Sequence, residues 1–317
     1  MTNGQHMTND ICVITSYFNP CHYLTRKLNF DLFAARLKAT GANLIVIEMA
    51  LDGHAFELGE DDEPLRVRGS GMLWQKERLL NLAIRKLPSS CTKVVWIDCD
   101  VVFEYEQWLE DTSAALDRFM VVQPYSNCVH LERSRSRRQG GETSIESFAA
   151  AFARDPSLAR DAAYQAHGHT GFAWAARREL LDAYGLYDAC LTGSGDHLMA
   201  HVFAGTSSSS CIPAMIGSGH AYAAHFARWA AEVERFAGGR LGHVPGCVLH
   251  LWHGDRADRR YREHNQEFKR FAFDPDRHIR CDENGLWNWA DAPSAMRAWA
   301  REMFVSRNED GERGPGA

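Results

Sequence analysis

Short unbroken apolar runs alternate with stretches whose apolar residues recur every three or four positions, and this alternation organises the first half of the chain. Residues 10–17 (Asp-Ile-Cys-Val-Ile-Thr-Ser-Tyr) and 43–50 (Asn-Leu-Ile-Val-Ile-Glu-Met-Ala) read as buried strands. Between them, Leu28, Leu32, Ala35 and Ala39 fall on one face of a helix from about Tyr23 to Thr40, which Gly41 ends. Residues 51–71 are acidic and then glycine-punctuated, which predicts a loop. An amphipathic helix over 73–87, stopped by Pro88, leads to Lys93-Val-Val-Trp-Ile97, a third strand that runs directly into Asp98-Cys99-Asp100. A helix over 107–118 and a strand over 119–123 complete a β-α-β-α-β-α-β run, which predicts an α/β fold with a mainly parallel sheet.

The pattern loosens in the second half. Residues 133–141 are basic and end in two glycines, predicting a flexible segment. Helical spacing is read over 142–155, 177–184, 195–204, 221–236 and 258–271, with strands at 171–175 and 247–251. The chain has 317 residues, 45% hydrophobic and 24% charged, ordinary globular proportions. The formal charge of −6 argues against a dedicated nucleic-acid or membrane-surface binder. No run approaches the ~20 apolar residues of a membrane span, and the first thirty residues lack a signal-peptide core. The nine cysteines form no C-x-x-C pair, so free thiols and a cytoplasmic location are expected. Residues 1–9 are expected to be a disordered N-terminal segment.

Asp98-Cys99-Asp100 is the main chemical signal. Two aspartates at the carboxyl end of a buried strand project from the sheet edge where α/β folds bind ligands. Carboxylate oxygens suit hard divalent cations, which are commonly shared with substrate phosphates. The same spacing at Asp274-Pro275-Asp276 follows no strand and reads as a turn.

The order Ile-Thr-Ser-Tyr, then Glu48, then Trp-Gln-Lys-Glu-Arg-Leu-Leu-Asn, then Val-Val-Trp-Ile-Asp-Cys-Asp resembles the donor half of GT-A glycosyltransferases. The resemblance implies donor contacts from Thr15, Ser16, Tyr17, Glu48, Lys76, Asn81 and Asp98. For Lys76 and Asn81 a solvated helix face is the open alternative. Thr170-Gly171-Phe-Ala-Trp-Ala, Gly185-Leu-Tyr-Asp188 and Gly193-Ser-Gly-Asp196-His197 are similar to the acceptor-side segment of galactosyl- and N-acetylgalactosaminyltransferase-like domains. This implies a backbone approach to the donor sugar at Gly171 and a general base at Asp196, for which helix capping is the alternative. Val248-Leu-His250-Leu-Trp-His253-Gly254 matches the late histidine that joins the metal site in this family. An odd separation turns His250 and His253 to opposite sides of a strand, unless the strand ends between them. His253 is preferred, with His250 second.

The metal set implied is therefore Asp98, Asp100 and His253, holding Mn²⁺ or Mg²⁺. Of Arg256, Arg259, Arg260 and Arg262, one or two are expected to place a guanidinium on the diphosphate, with solvated helix charges as the reading for most of them. Trp74, Trp174, Trp252 and Trp287 are candidates for stacking on sugars, with packing as the default for each. The expected organisation is a GT-A domain over 10–272, with a nucleotide-sugar-binding half over 10–125 and an acceptor-binding half over 126–272, and a C-terminal extension over 273–317. The expected reaction moves a sugar from a UDP-sugar to a glycan or other hydroxyl-bearing acceptor, with inversion. A nucleotidyltransferase acting on sugar phosphates is the enzymatic rival, but it requires a glycine-rich basic loop after the first strand, and Tyr17-Phe-Asn-Pro20 is not one. A nucleic-acid-binding or DNA-modifying protein using Arg133–Arg138 is the minority alternative.

Overall fold

The computed structural model describes residues 10–160 and 166–311; the segment over 1–9 lies outside them. Strands β1 (Ile11–Phe18), β2 (Leu44–Leu51), β3 (Leu65–Gly69) and β4 (Lys93–Ile97) form the parallel half of the central sheet. β5 (Val101–Phe103) leaves it for a second sheet, which β7 (Asn127–His130), β8 (Ser144–Glu146) and β11 (Cys247–His250) complete. β6 (Val121–Gln123), β9 (Ala173–Arg177) and β10 (Leu241–His243) finish the central sheet in the order β10-β6-β9-β4-β1-β2-β3. β12 (Ile279–Cys281) and β13 (Trp287–Trp289) form a separate antiparallel pair.

The mixed α/β class read from the sequence is what the chain adopts, with helices on both faces of a large central sheet. Alternate strand residues show why. Cys12, Ile14, Val94, Trp96, Trp174 and Ala176 face one core with the helices Lys76–Ile84, Gly195–Phe203 and Ala221–Ala237. Ile11, Val13, Val95, Ile97, Ala173 and Ala175 face the other, against Leu24–Ala39 and Trp108–Leu116. Strands covered on both sides have no polar face, hence their unbroken apolar runs.

Several short elements depart from the sequence reading. The loop expected over 51–71 contains β3, an edge strand whose arginines alternate outward and hide its pattern. The helix expected over 142–155 is β8 followed by the shorter helix Phe148–Arg154, begun by a Ser147 side chain that accepts from the Ala150 amide. β9 runs antiparallel to both its neighbours. Residues 273–311 are continuous with the rest: Leu286, Met296, Trp299 and Phe304 belong to the same core as β1 and β4.

Candidate active site

β2 and β4 flank β1 on opposite sides, so the chain reverses its direction of growth across the sheet beside β1. In open α/β sheets the carboxyl ends of strands at such a point form a ligand crevice. Here a cleft of about 1240 Å³ opens at that place, and Ser16, Lys76, Asp98, Asp100, Gly171 and Asp196 all line it. That volume exceeds the roughly 300–1,000 Å³ of a single-ligand pocket.

The first cluster is an acid-base chain. Lys76 Nζ lies 2.5 Å from Asp98 Oδ1 and 2.7 Å from Asp196 Oδ2. Burial opposes the charge on Lys76, but Asp196 and Asp98 outweigh it and hold the ammonium well above its usual range. Burial pushes the Asp98 carboxyl up to about 6, with Lys76 pulling the other way and Asp196 and Asp100 adding repulsion. Asp196 sits in the first turn of Gly195–Phe203, where the helix N-terminus favours an anion. It is not the cap, which is Ser194. Its Oδ1 is buried and makes no hydrogen bond among the described residues. Glu77 packs against Gly195: a Cβ there would fall 2.6 Å from Glu77 Oε1, so any side chain at this position would displace the Glu77 carboxylate.

The second cluster faces the other aspartate. Asp100 Oδ2 is 2.9 Å from His253 Nε2, and Oδ1 is 3.8 Å from His250 Nε2. The two Nε2 atoms approach within 3.0 Å. β11 ends at His250, so the chain turns before His253 and both rings reach one aspartate. Pairing of β5 with β11 sets Val101 against His250, and the Leu251 amide donates to the Asp100 carbonyl at 2.8 Å. His130, opposite His250 on β7, places its Nδ1 3.1 Å from His250 Nδ1, which leaves His250 Nε2 for the cleft. Burial holds His250 well below its usual range and therefore neutral. Burial also works against charge on Asp100, but the facing His253 and the Arg26 guanidinium outweigh it and hold the carboxyl well below its usual value. An ionised carboxylate with two converging imidazoles is a donor set for a divalent cation. Asp100 Oδ1, buried and without a hydrogen bond among the described residues, fits that use.

The structure divides the residues named from the sequence. Ser16, Lys76, Asp98, Gly171 and Asp196 reach the cleft, and Asp100 and His253 meet with His250. Asp98 does not join that trio, because Lys76 holds its carboxylate. Thr15, Tyr17, Glu48 and Asn81 do not line the cleft. Strand alternation turns Thr15 and Tyr17 away from the side that Ser16 presents. Thr15 Oγ1 donates to the Ile97 carbonyl at 2.7 Å, and Tyr17 Oη to Glu57 at 2.5 Å. Glu48, paired with Tyr17 across the sheet, accepts the Glu57 and Leu58 amides. Asn81 lies five residues beyond Lys76, about 140° round the helix, and binds both the Leu186 backbone and Asp188.

Trp74 and Trp252 line the cleft, whereas Trp174 is buried and Trp287 donates to the Asp188 carbonyl. Arg256, Arg259, Arg260 and Arg262 all line it. Within the Arg133–Arg138 cluster, Arg135 pairs with Glu132 and Glu142, and Arg138 with Glu104, so it presents no continuous basic stripe.

Sequence reasoning missed Arg26, Arg307 and Glu309. Glu309 Oε1 lies 3.5 Å from His253 Nδ1 and 2.7 Å from Arg307 Nε, and its other oxygen is 3.2 Å from Arg26. Burial disfavours this carboxylate, yet Arg26 and Arg307 hold it well below its usual range. No local pattern in the tail announces the role.

No family model matches the sequence, and no curated protein matches it significantly. The catalytic domain of Drosophila beta1,4-galactosyltransferase 7, solved with xylobiose, aligns over 92% of this chain and 98% of its own, at 11% identity and a TM-score of 0.40. S. aureus TarS with UDP-GlcNAc aligns over 60% of this chain and 52% of its own, at 13% identity and a TM-score of 0.36. The 4-diphosphocytidyl-2C-methyl-D-erythritol synthase from Anaerococcus prevotii aligns over 74% and 88%, at 10% identity and a TM-score of 0.35. Likeness at this level assigns nothing to the chain. The functional reading rests on the site.

Proposed function

We propose that this protein is a metal-dependent glycosyltransferase of the GT-A type, taking a sugar from a nucleotide-diphosphate donor, a UDP-sugar by preference, to an acceptor hydroxyl with inversion. The observation that carries the reading is the split of the Asp98-Cys99-Asp100 turn. One aspartate joins two histidines, and the other joins Lys76 and Asp196 across the same cleft. A transferase with a charged leaving group needs both functions within reach of one bond.

Asp100, His250 and His253 would hold Mn²⁺ or Mg²⁺, which when bound neutralises charge developing on the departing diphosphate. Arg26 and Arg307 add fixed positive charge on the same wall of the cleft. Asp98 and Ser16 face the donor from the ends of β4 and β1. Across the cleft, Asp196 Oδ1 takes the acceptor hydroxyl's proton while that oxygen bonds to the anomeric carbon and the carbon–phosphate oxygen bond breaks. Lys76, 2.7 Å from Oδ2, orients Asp196. The turn after β1, Asn19-Pro20-Cys21-His22, has no glycine to cradle a triphosphate, which disfavours nucleotidyl transfer.

A panel of nucleotide sugars, each with and without Mn²⁺, tests the proposal by thermal unfolding. Protection that requires both metal and a nucleotide-diphosphate sugar is expected. Equal protection by nucleoside triphosphates, with none from nucleotide sugars, would overturn it. Once donor and acceptor are known, NMR of the product anomer reads the stereochemistry.

A further inference from the structure

A second group of metal-ligating side chains adjoins the cleft, with His167 and His197 among the lining residues, and takes no part in the chemistry above. His197 and His201 stand one turn apart on Gly195–Phe203, His167 precedes β9, and Cys211 opens the helix Cys211–Ile216. None is more than 4% exposed. One ligand atom from each lies within 4.8 Å of the others.

The spacing carries chemical information. His197 Nε2 and His201 Nε2 are 3.3 Å apart. Tetrahedral zinc, with nitrogen at about 2.0–2.1 Å, sets neighbouring nitrogens roughly 3.3 Å from each other. The opposite ring atoms have outer contacts: His201 Nδ1 is 3.3 Å from Thr206 Oγ1, and His167 Nδ1 donates to the Gly168 carbonyl at 3.1 Å. Such contacts orient metal-binding imidazoles and fix their tautomers. Phe148 packs edge-on to His167 and His201 and forms an apolar wall beside them. Gly168 adopts φ +78, and a Cβ there would meet the Ser147 carbonyl oxygen at 2.6 Å, so the backbone beside His167 is sharply constrained.

We propose that His167, His197, His201 and Cys211 form a closed four-ligand zinc site, structural in character and distinct from the Asp100 trio. Three imidazoles and one thiolate suit zinc, and four protein ligands leave no position for substrate. The ion would tie the helix carrying Asp196 to the segment leading into Gly171 and to Cys211–Ile216, bracing the acceptor side of the cleft.

The test uses the full chain with Asp100→Asn, so that the cleft site does not contribute. After dialysis against chelator, Co²⁺ titration is expected to give a thiolate-to-cobalt charge-transfer band saturating at one ion per chain. Zn²⁺ should displace it and raise the unfolding temperature. Cys211→Ser should abolish the band and weaken Zn²⁺ binding at least tenfold. No band, or a band that survives Cys211→Ser, would overturn the proposal. Should that variant fail to fold, X-ray absorption on the zinc-loaded Asp100→Asn protein decides: a shell of three nitrogens and one sulfur supports the site, and a shell without sulfur overturns it.

Discussion

Lys76 sets the charge balance between the two aspartates it touches, and Asp196 is the one whose remaining oxygen is left for a proton. Asp196→Asn should reduce transfer to acceptor by about 10²–10⁴-fold, the usual contribution of a general base, while donor binding measured by calorimetry persists. Near-normal transfer would leave Asp196 as no more than an anchor for Lys76. Glu77, directly below, gives a pH dependence. Burial pushes its carboxyl up to about 8 against the ordinary 4.5, with Lys76 opposing. Between those values the folded state keeps a proton that the unfolded state has lost, so stability should fall as pH rises through that window. The urea midpoint should be lower near pH 8 than near pH 5, and Glu77→Gln should flatten the difference; an unchanged slope would contradict the assignment. At this scale the sequence revealed carboxylates at a strand end and a helix start. It did not reveal side-chain direction. Ser16 reaches the cleft while Thr15 and Tyr17 turn away, and Asn81 sits on the wrong arc of a helix whose first residue is Lys76.

Long elements were legible because their apolar runs exceed the noise of composition, as with β1, β2 and β4. The elements that assemble the proposed cation site are shorter: β5 has three residues and β7 four. Their pairing with β11 brings His250 beside Asp100, and that long-range contact leaves no trace in local periodicity. The tail behaves in the same way. Glu309 is 1% exposed and touches His253 through a contact separated by more than fifty residues. Carboxylates behind ligating histidines orient the ring and raise its basicity, and losing one typically costs 10–100-fold in metal affinity. Glu309→Gln should weaken Mn²⁺ binding by roughly that factor, read as a shift in the metal concentration for half-maximal thermal protection. Unchanged metal affinity would make Glu309 only a partner for Arg26 and Arg307.

Across the whole molecule, one core runs from β1 to the C-terminal helix Ser294–Val305, within the segment after 273. Apolar residues there are spaced among tryptophans and charges, so their convergence on the central sheet was not evident from pattern alone. Met296 is fully buried, and Met296→Ala should cost about 2–5 kcal/mol in chemical denaturation. A cost near zero would mean that the segment is peripheral. The same continuity brings Arg307 to the cleft and Glu309 to His253, so fold and site depend on each other. Among the described residues no helix is long and apolar enough to cross a membrane. The central claim is that the aspartates of one turn divide the labour of one reaction, with Asp100 serving the metal. It is tested most directly by measuring Mn²⁺-dependent hydrolysis of UDP-sugars by the wild-type chain and by Asp100→Asn. The account predicts nucleotide release that requires metal in the wild type and is abolished in the variant, with the circular dichroism spectrum and unfolding temperature preserved. Metal-dependent release that continues undiminished in a folded Asp100→Asn protein would contradict it.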